Sequence, residues 1–126
     1  MNRKRILCLD FDGVCHSYTS GWKGAAVIPD PPVPGMWEFL REATLLFEVD
    51  VFSSRTSQQG GLVAMRNWFR DHAETAEQAQ IAAELVFPVE KPPAFVGLDD
   101  RVLTFRGTWP TMYQLDTFTP WNAEAV

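Results

Sequence analysis

The chain has 126 residues, of which 46% are hydrophobic, and this size suits one packed core but not a second domain of ordinary length. The formal net charge of −5 argues against a large nucleic-acid interface, because many phosphates would have to be neutralised by Lys and Arg. We therefore expect a single domain over residues 1–126, which can bind a nucleic acid only locally, for example at a strand end.

The N-terminal segment and the cysteines bear on location. The basic residues 1–5 are followed by an apolar run that Asp10 interrupts too early for a signal peptide or a membrane span. Cys8 and Cys15 are too few for a disulfide framework and are interpreted as free thiols, although a single disulfide is the alternative. We expect a cytoplasmic protein with no membrane partner, and the sequence leaves its oligomeric state open.

The predicted elements begin with a β-α-β unit. Residues 6–9 and 47–53 are short runs of apolar and β-branched residues, which is typical of strands. Between them Met36, Phe39, Leu40 and Ala43 recur at helical spacing. Further helices are predicted over residues 61–71 and after Thr75, where Gln78 completes a capping-box pattern.

The second half of the chain predicts shorter elements. Strands are expected at residues 85–87, 94–98 and 102–105, and a short helix after Pro110. The alternation of strands and helices predicts an α/β fold with a parallel sheet. The segment 14–34 is rich in Gly, Pro, Ser and Thr, and we expect it to form a loop, or flap, above a site.

Acidic and hydroxyl side chains follow three of the predicted strands. Asp10 and Asp12 lie two residues apart and share one side of the chain, while Gly13 permits a sharp turn. Ser53 follows the second strand, and Asp99-Asp100 follow a later one. In an open parallel sheet these positions converge at the carboxyl edge, where ligands bind.

Four converging carboxylates favour a hard cation and phosphoryl chemistry. The carboxylates repel one another unless a cation neutralises them, and Mg²⁺ prefers a few carboxylates, waters and a substrate phosphate. One aspartate can then attack phosphorus while a second transfers the proton. The pattern therefore predicts a magnesium-dependent phosphomonoesterase.

The same residues resemble the haloacid dehalogenase-like (HAD) phosphatases. The first motif of that superfamily is an apolar strand ending Asp-x-Asp-Gly, as at residues 10–13, and the second is a strand ending in Ser or Thr, as at Ser53. Ser54-Arg55 is similar to the phosphatase half of polynucleotide kinase-phosphatases, and residues 97–101 resemble the fourth motif. The resemblance implies a three-layer Rossmann-like sheet with helices on both faces and no large cap domain.

The resemblance also implies roles for individual residues. Asp10 is the nucleophile that becomes an aspartyl phosphate, and Asp12 is the general acid and then the base for the attacking water. Magnesium is bound by Asp10, by the backbone carbonyl of Asp12 and by Asp100, with Asp99 in support. Ser53 holds a phosphate oxygen.

The remaining predicted site residues are phosphate or substrate contacts. Arg55 is expected to clamp phosphate, and Gly13, His16 and Ser54 are expected to contact the substrate. Lys91 is the candidate for the third-motif lysine, with Lys23 of the flap as the alternative. The substrate is either a phosphorylated small molecule, such as a nucleotide or sugar phosphate, or a nucleic-acid terminus.

Several alternatives stay open from the sequence. The acidic pairs are also ordinary turn residues, Ser53 is a possible helix cap, Arg55 a possible ion-pair residue and His16 a possible internal hydrogen-bonding residue of the loop. A catalytically weak protein that binds metal and phosphate is the main functional alternative. A phosphorylation-receiver module is less favoured because its acidic residues occur in a different order. A phosphomutase is less favoured because it would need a cap, which this chain lacks.

Overall fold

The protein is described over residues 3–122 by a computed structural model. Its elements in chain order are β1 (Arg5–Asp10), α1 (Met36–Leu46), β2 (Phe47–Phe52), a 3₁₀ helix (Ser54–Ser57), α2 (Gly61–His72), α3 (Ala76–Glu84), β3 (Val96–Leu98) and α4 (Met112–Asp116). None of the helices within residues 3–122 has the length and apolar character needed to cross a membrane.

The three strands form one parallel sheet with β1 in the centre. The strand order is β2-β1-β3, and Leu9 of β1 lies opposite both Val51 of β2 and Leu98 of β3. On the outer side of β2, Val86 adds a single parallel bridge, in which its carbonyl accepts the Val51 N–H at 2.7 Å. The carboxyl ends of all three strands therefore lie at one edge of the sheet.

One core joins the sheet to the helices. The apolar residues at alternate positions of β1 and β2 are buried, and they share a cluster with the inner faces of the three longer helices. Its members include Leu7 and Leu9 of β1, Val49 and Val51 of β2, Met36, Leu40 and Ala43 of α1, Met65, Trp68 and Phe69 of α2, and Ile81 of α3. The opposite side of the sheet near Cys8, Asp10 and Phe52 borders an open cavity instead.

The β-α-β order and the parallel α/β sheet predicted from the sequence are confirmed. The helix predicted over residues 61–71 is α2, and Thr75 caps α3 by accepting the Gln78 N–H at 3.1 Å. The Gln78 side chain accepts from the Glu74 N–H at 2.7 Å rather than from Thr75, so the predicted capping box is only half formed. The three-layer arrangement with helices on both faces stays a prediction.

Two of the short strands differ from expectation. The predicted strand 85–87 is reduced to the single bridge at Val86. The strand predicted at residues 102–105 is wrong, because those residues are exposed and form no ladder with β3. Residues 14–34 contain neither helix nor named strand, as expected for a flap.

Candidate functional site

Three aspartates meet at the carboxyl edge of the sheet. Asp10 is the last residue of β1, and Asp99-Asp100 follow the neighbouring β3. One carboxylate oxygen from each lies within 4.8 Å of the other two. Asp99 also accepts the Arg101 N–H at 2.9 Å, which fixes the turn after β3. Of the four carboxylates predicted to converge, those of Asp10, Asp99 and Asp100 form this cluster, whereas the Asp12 carboxylate is not part of it.

Gly13 leaves space for the Asp100 carboxylate. Gly13 has a φ of 86°, and a Cβ atom at this position would overlap the Asp100 carboxylate. The Oδ1 atom of Asp100 is buried and accepts no hydrogen bond from the protein. A buried carboxylate oxygen without a donor is costly, and a cation would satisfy it. The residues present could therefore hold a metal ion.

The electrostatics of Asp10 favour the same conclusion. Burial, a hydrogen bond with Asp100 and the charge of Asp99 together raise the pKa of Asp10 to about 8. Two carboxyl groups can hydrogen-bond only when one of them carries a proton. Without a cation the cluster therefore retains a proton at neutral pH, and a divalent ion would replace it.

The Asp12 side chain belongs to a separate network. Arg55 donates from Nε to Asp12 Oδ2 at 2.9 Å and from Nη2 to Oδ1 at 3.1 Å, and His16 Nδ1 lies 2.8 Å from Oδ1. Burial alone would raise the pKa of Asp12, but these hydrogen bonds and the Arg55 charge outweigh it and hold that pKa below its usual value. The carboxylate of Asp12 is therefore ionised and fully engaged, outside the cluster of three aspartates.

His16 has a defined tautomer in this network. Its ring is completely buried, and its Nε2 accepts the backbone N–H of Asp30 at 3.1 Å. A nitrogen that accepts from an N–H carries no proton, so the proton is on Nδ1 and is donated to Asp12. His16 thereby links the turn after β1 to Asp30 in the flap. Its predicted contact with substrate stays a prediction, since both nitrogens face the interior here.

Arg55 joins the flap to the site. It is completely buried, and Nη1 donates to the carbonyls of Gly24 and Ala25 at 2.9 Å each. The guanidinium carbon lies 4.6 Å from the centre of the Trp22 ring. With these partners the guanidinium points at Asp12 and the flap, so the geometry favours a positioning role. The predicted phosphate clamp stays a prediction.

The other predicted phosphate contacts share a cavity with Asp10. Ser53, Ser54, Lys91 and Asp99 line an open cavity of about 870 Å³ together with Asp10. The Ser53 oxygen accepts the Arg55 N–H at 3.1 Å, which leaves its hydroxyl proton free to donate. Lys91 is exposed on this cavity, whereas Lys23 lies on the exposed surface of the flap. Lys91 is therefore the better placed of the two candidate lysines.

Three residues near the site were not predicted. Asp30 accepts two hydrogen bonds from Ser20, at 2.8 Å from its N–H and 2.6 Å from its hydroxyl, and its carbonyl accepts the Trp68 indole N–H at 3.0 Å. Trp121 donates to the Gly13 carbonyl at 2.8 Å, across more than a hundred residues. Tyr18 has a φ of 62°, which is unusual for a residue with a side chain. Only the composition of the loop hinted at Asp30 and Tyr18, and no spacing could indicate Trp121.

No protein-family model, curated protein or solved structure matches this chain. The geometry of the carboxyl edge is therefore what bears on function. This edge combines the cluster of Asp10, Asp99 and Asp100, the hydrogen-bonded carboxylate of Asp12, and the cavity that Asp10 shares with Ser53 and Lys91.

Proposed function

We propose that the protein is a magnesium-dependent phosphomonoester hydrolase, a small HAD-like phosphatase without a large cap domain. The observation that carries the proposal is the meeting of Asp10, Asp99 and Asp100 at the edge of a parallel sheet. Asp10 also borders the cavity that contains Ser53 and Lys91, so a phosphate there would have a nucleophile, a hydroxyl donor and a cation within one site. The substrate is a phosphorylated small molecule or a nucleic-acid terminus.

The reaction has two steps at phosphorus. A carboxylate oxygen of Asp10 attacks the phosphorus atom and the bond to the leaving oxygen breaks. Asp12, which is ionised in the structure, must first take up a proton from water and then gives that proton to the leaving oxygen. Asp12 then accepts a proton from water as the water oxygen attacks the aspartyl phosphate, which releases phosphate and restores Asp10. Magnesium held by Asp10, Asp99 and Asp100 would supply positive charge that offsets the negative charge of the carboxylates and phosphate.

Ser53 and Lys91 have different tasks in this scheme. The free hydroxyl proton of Ser53 is available to one phosphate oxygen, because the Ser53 oxygen already accepts from Arg55. Within residues 3–122, Lys91 forms no ion pair and no side-chain hydrogen bond. Its ammonium group is therefore available to the phosphate. The free thiols Cys8 and Cys15 are compatible with the proposed cytoplasmic location.

The first test is phosphate release by the purified protein. The panel contains nucleotides, sugar phosphates and phosphorylated oligonucleotide ends, each with magnesium. Asp10→Asn is expected to lower release at least about a hundredfold, because the amide is nearly isosteric but a poor nucleophile. Asp71→Asn, the same change at an exposed position on α2, should retain full activity. Undiminished release by Asp10→Asn would remove Asp10 from the nucleophile role.

The second test is removal of the metal. EDTA should silence phosphate release and magnesium should restore it, because the raised pKa of Asp10 leaves this carboxyl protonated at neutral pH without a cation. In parallel, magnesium should raise the melting temperature of the wild type but not that of Asp100→Asn. Activity that persists after chelation would contradict the metal assignment even if phosphate release itself is established.

The structure gives specific support to one alternative, a metal- and phosphate-binding protein with weak catalysis. The carboxylate of Asp12 is held by Arg55 and His16 with a lowered pKa, so it is a reluctant proton donor. Weak catalysis predicts faster turnover of substrates whose leaving oxygen needs no proton, such as aryl phosphates with acidic phenols. Magnesium-dependent phosphate binding without release from any substrate would favour this alternative over the hydrolase.

A further inference from the structure

Two aromatic side chains lie beside the turn of residues 11–16, which carries Gly13. Trp121 donates a hydrogen bond to the carbonyl of Gly13, and Tyr18 follows the end of that turn by two residues. We call this pair the aromatic rim. It lies outside the motifs described above, and neither residue has a role in the two chemical steps.

Trp121 is anchored but uncovered. Its indole N–H donates to Gly13 at 2.8 Å, and the next residue, Asn122, donates to the Ser17 carbonyl at 3.1 Å. The residue is nevertheless 63% exposed. A large apolar ring with its polar atom already bonded and its surface open to solvent gains most from a flat apolar ligand.

The rim is adjacent to the metal-binding carboxylates. Asp100 packs against the Cα atom of Gly13, and the indole nitrogen of Trp121 binds the carbonyl of that same glycine. A single residue therefore separates the indole from a carboxylate of the cluster. A carboxylate oxygen of Asp10 lies within 4.8 Å of one of Asp100, so Trp121 is connected to the proposed phosphate position through Gly13 and Asp100.

Tyr18 supports the same placement from the flap. Its left-handed backbone, with φ of 62°, turns the ring edge-on to His16 at 5.8 Å. Burial and then the negative charge of Asp12 raise the pKa of its phenol. A non-glycine residue in this conformation costs free energy, and such strain is concentrated at functional sites.

We propose that Tyr18 and Trp121 bind the aromatic base of a nucleoside monophosphate whose phosphate lies at Asp10. This inference rests on the proposed function for the position of the phosphate. Stacking of a base on an exposed aromatic ring discriminates little among the bases, so we expect a preference for bases over sugars rather than for one base. Trp121 and Tyr18 are thus specificity-determining residues rather than catalytic ones.

The test compares two phosphates that differ by the base. The ligands are adenosine 5′-monophosphate and ribose 5-phosphate, and their dissociation constants are measured by calorimetry with magnesium on full-length Asp10→Asn protein, which does not consume them. We expect adenosine monophosphate to bind at least about tenfold more tightly than ribose 5-phosphate. Adding Trp121→Ala should remove most of that ratio, and Trp121→Phe should retain most of it.

Trp109→Ala is the matched control. Trp109 belongs to the same C-terminal segment and is 82% exposed, but its ring contacts Phe105 rather than the turn at Gly13. It should leave the ratio of the two dissociation constants unchanged. Tyr18→Phe keeps the ring and should leave the ratio within about twofold, whereas Tyr18→Ala should lower it.

The outcomes separate this inference from the proposed function. Equal binding of the two ligands, or a ratio that Trp121→Ala leaves intact, overturns the aromatic rim even if the wild type releases phosphate. A ratio that collapses in Trp121→Ala supports the rim even if the wild type releases no phosphate, in which case the hydrolase proposal alone fails. Loss of binding of both ligands to the same extent in Trp121→Ala also overturns the rim, because it assigns Trp121 to the support of the turn.

Discussion

Asp10 and Asp12 are two residues apart, yet their carboxyl groups have opposite environments. Burial and the neighbouring acids raise the pKa of Asp10 to about 8, whereas donors from His16 and Arg55 overcome burial and lower the pKa of Asp12. At neutral pH the proton is therefore retained at Asp10 and absent from Asp12. The proposed reaction starts from the opposite arrangement, with Asp10 ionised and Asp12 protonated, and a bound cation would favour the ionised form of Asp10.

Gly13 offers a test at the level of a single methyl group. In Gly13→Ala the new Cβ atom would overlap the Asp100 carboxylate, and the positive φ of 86° would be strained. We expect magnesium affinity to fall at least about tenfold, together with a loss of roughly 1–2 kcal/mol in the free energy of unfolding. Magnesium titration by calorimetry and urea unfolding measure the two effects.

Gly107→Ala separates the clash from the backbone strain. Gly107 has a similar φ of 91°, but a Cβ atom there meets no other atom within 4 Å. Gly107→Ala should lower the free energy of unfolding by a similar amount and leave magnesium affinity unchanged. If both variants lose magnesium equally, overlap with Asp100 is not the reason that position 13 is glycine.

At the scale of the elements, several hydrogen bonds hold the flap over residues 14–34, and two sets of them involve the buried side chains of Arg55 and His16. Arg55 donates to carbonyls of the flap, and His16 accepts from the backbone of Asp30. Both connections also reach Asp12. The position of the Asp12 carboxylate and the closure of the flap are therefore linked through the same side chains.

Arg55→Met tests this link. The substitution keeps a long apolar side chain but leaves Asp12 and the flap carbonyls without their donor, so we expect a loss of about 3–5 kcal/mol in the free energy of unfolding. Tryptic cleavage after the exposed Lys23 should increase more than cleavage after Arg66 within α2, which reports global opening. Arg70→Met, at an arginine side chain that is 69% exposed, is the control and should change neither rate. An unchanged ratio of the two cleavages would mean that Arg55 does not hold the flap.

Sequence periodicity predicted the helices well, because the spacing of apolar residues along one helix is a property of neighbouring residues. The helical spacing of Met36, Leu40 and Ala43 is the buried stripe of α1, although Phe39, which shares the spacing, is 42% exposed at its margin. The strand predicted at residues 102–105 failed because a β-propensity becomes a strand only with a paired neighbour, and these residues have none. Period and composition carry no information on that pairing.

The residues of the candidate site also divide into those that a sequence rule predicts and those that it does not. Asp10, Asp99 and Asp100 could be placed together from the rule that parallel strands end at one edge. Arg55 and Asp12, which are hydrogen-bonded, lie 43 positions apart in the chain, and Trp121 and Gly13 lie 108 positions apart. Side-chain direction at that separation is set by packing, which a single sequence does not display.

At the scale of the whole molecule, the sheet separates stability from chemistry. The side of β1 and β2 that carries Leu9 and Val51 is buried in the core, and the carboxyl edge carries the acids. Asp50 is an exception, because it is a buried acid in the middle of β2, with an Oδ1 atom that accepts no hydrogen bond. Its charge therefore acts on the stability of the entire domain rather than on the site.

The Asp50 carboxyl predicts how stability depends on pH. Burial, and next the hydrogen bond and charge of Glu48, raise the pKa of Asp50 from 3.8 to about 7. Between these values the folded protein holds a proton that the unfolded chain has lost, so the contribution of Asp50 to the free energy of unfolding decreases as pH rises through this window. Asp50→Asn cannot ionise and should remove that decrease. Its stability relative to the wild type should therefore increase from about pH 5 to about pH 8, as measured by urea unfolding.

Asp71→Asn, at a side chain that is 70% exposed, is the control and should show no such trend. A constant difference in stability between Asp50→Asn and the wild type would mean that Asp50 is already ionised in the folded protein at the lower pH.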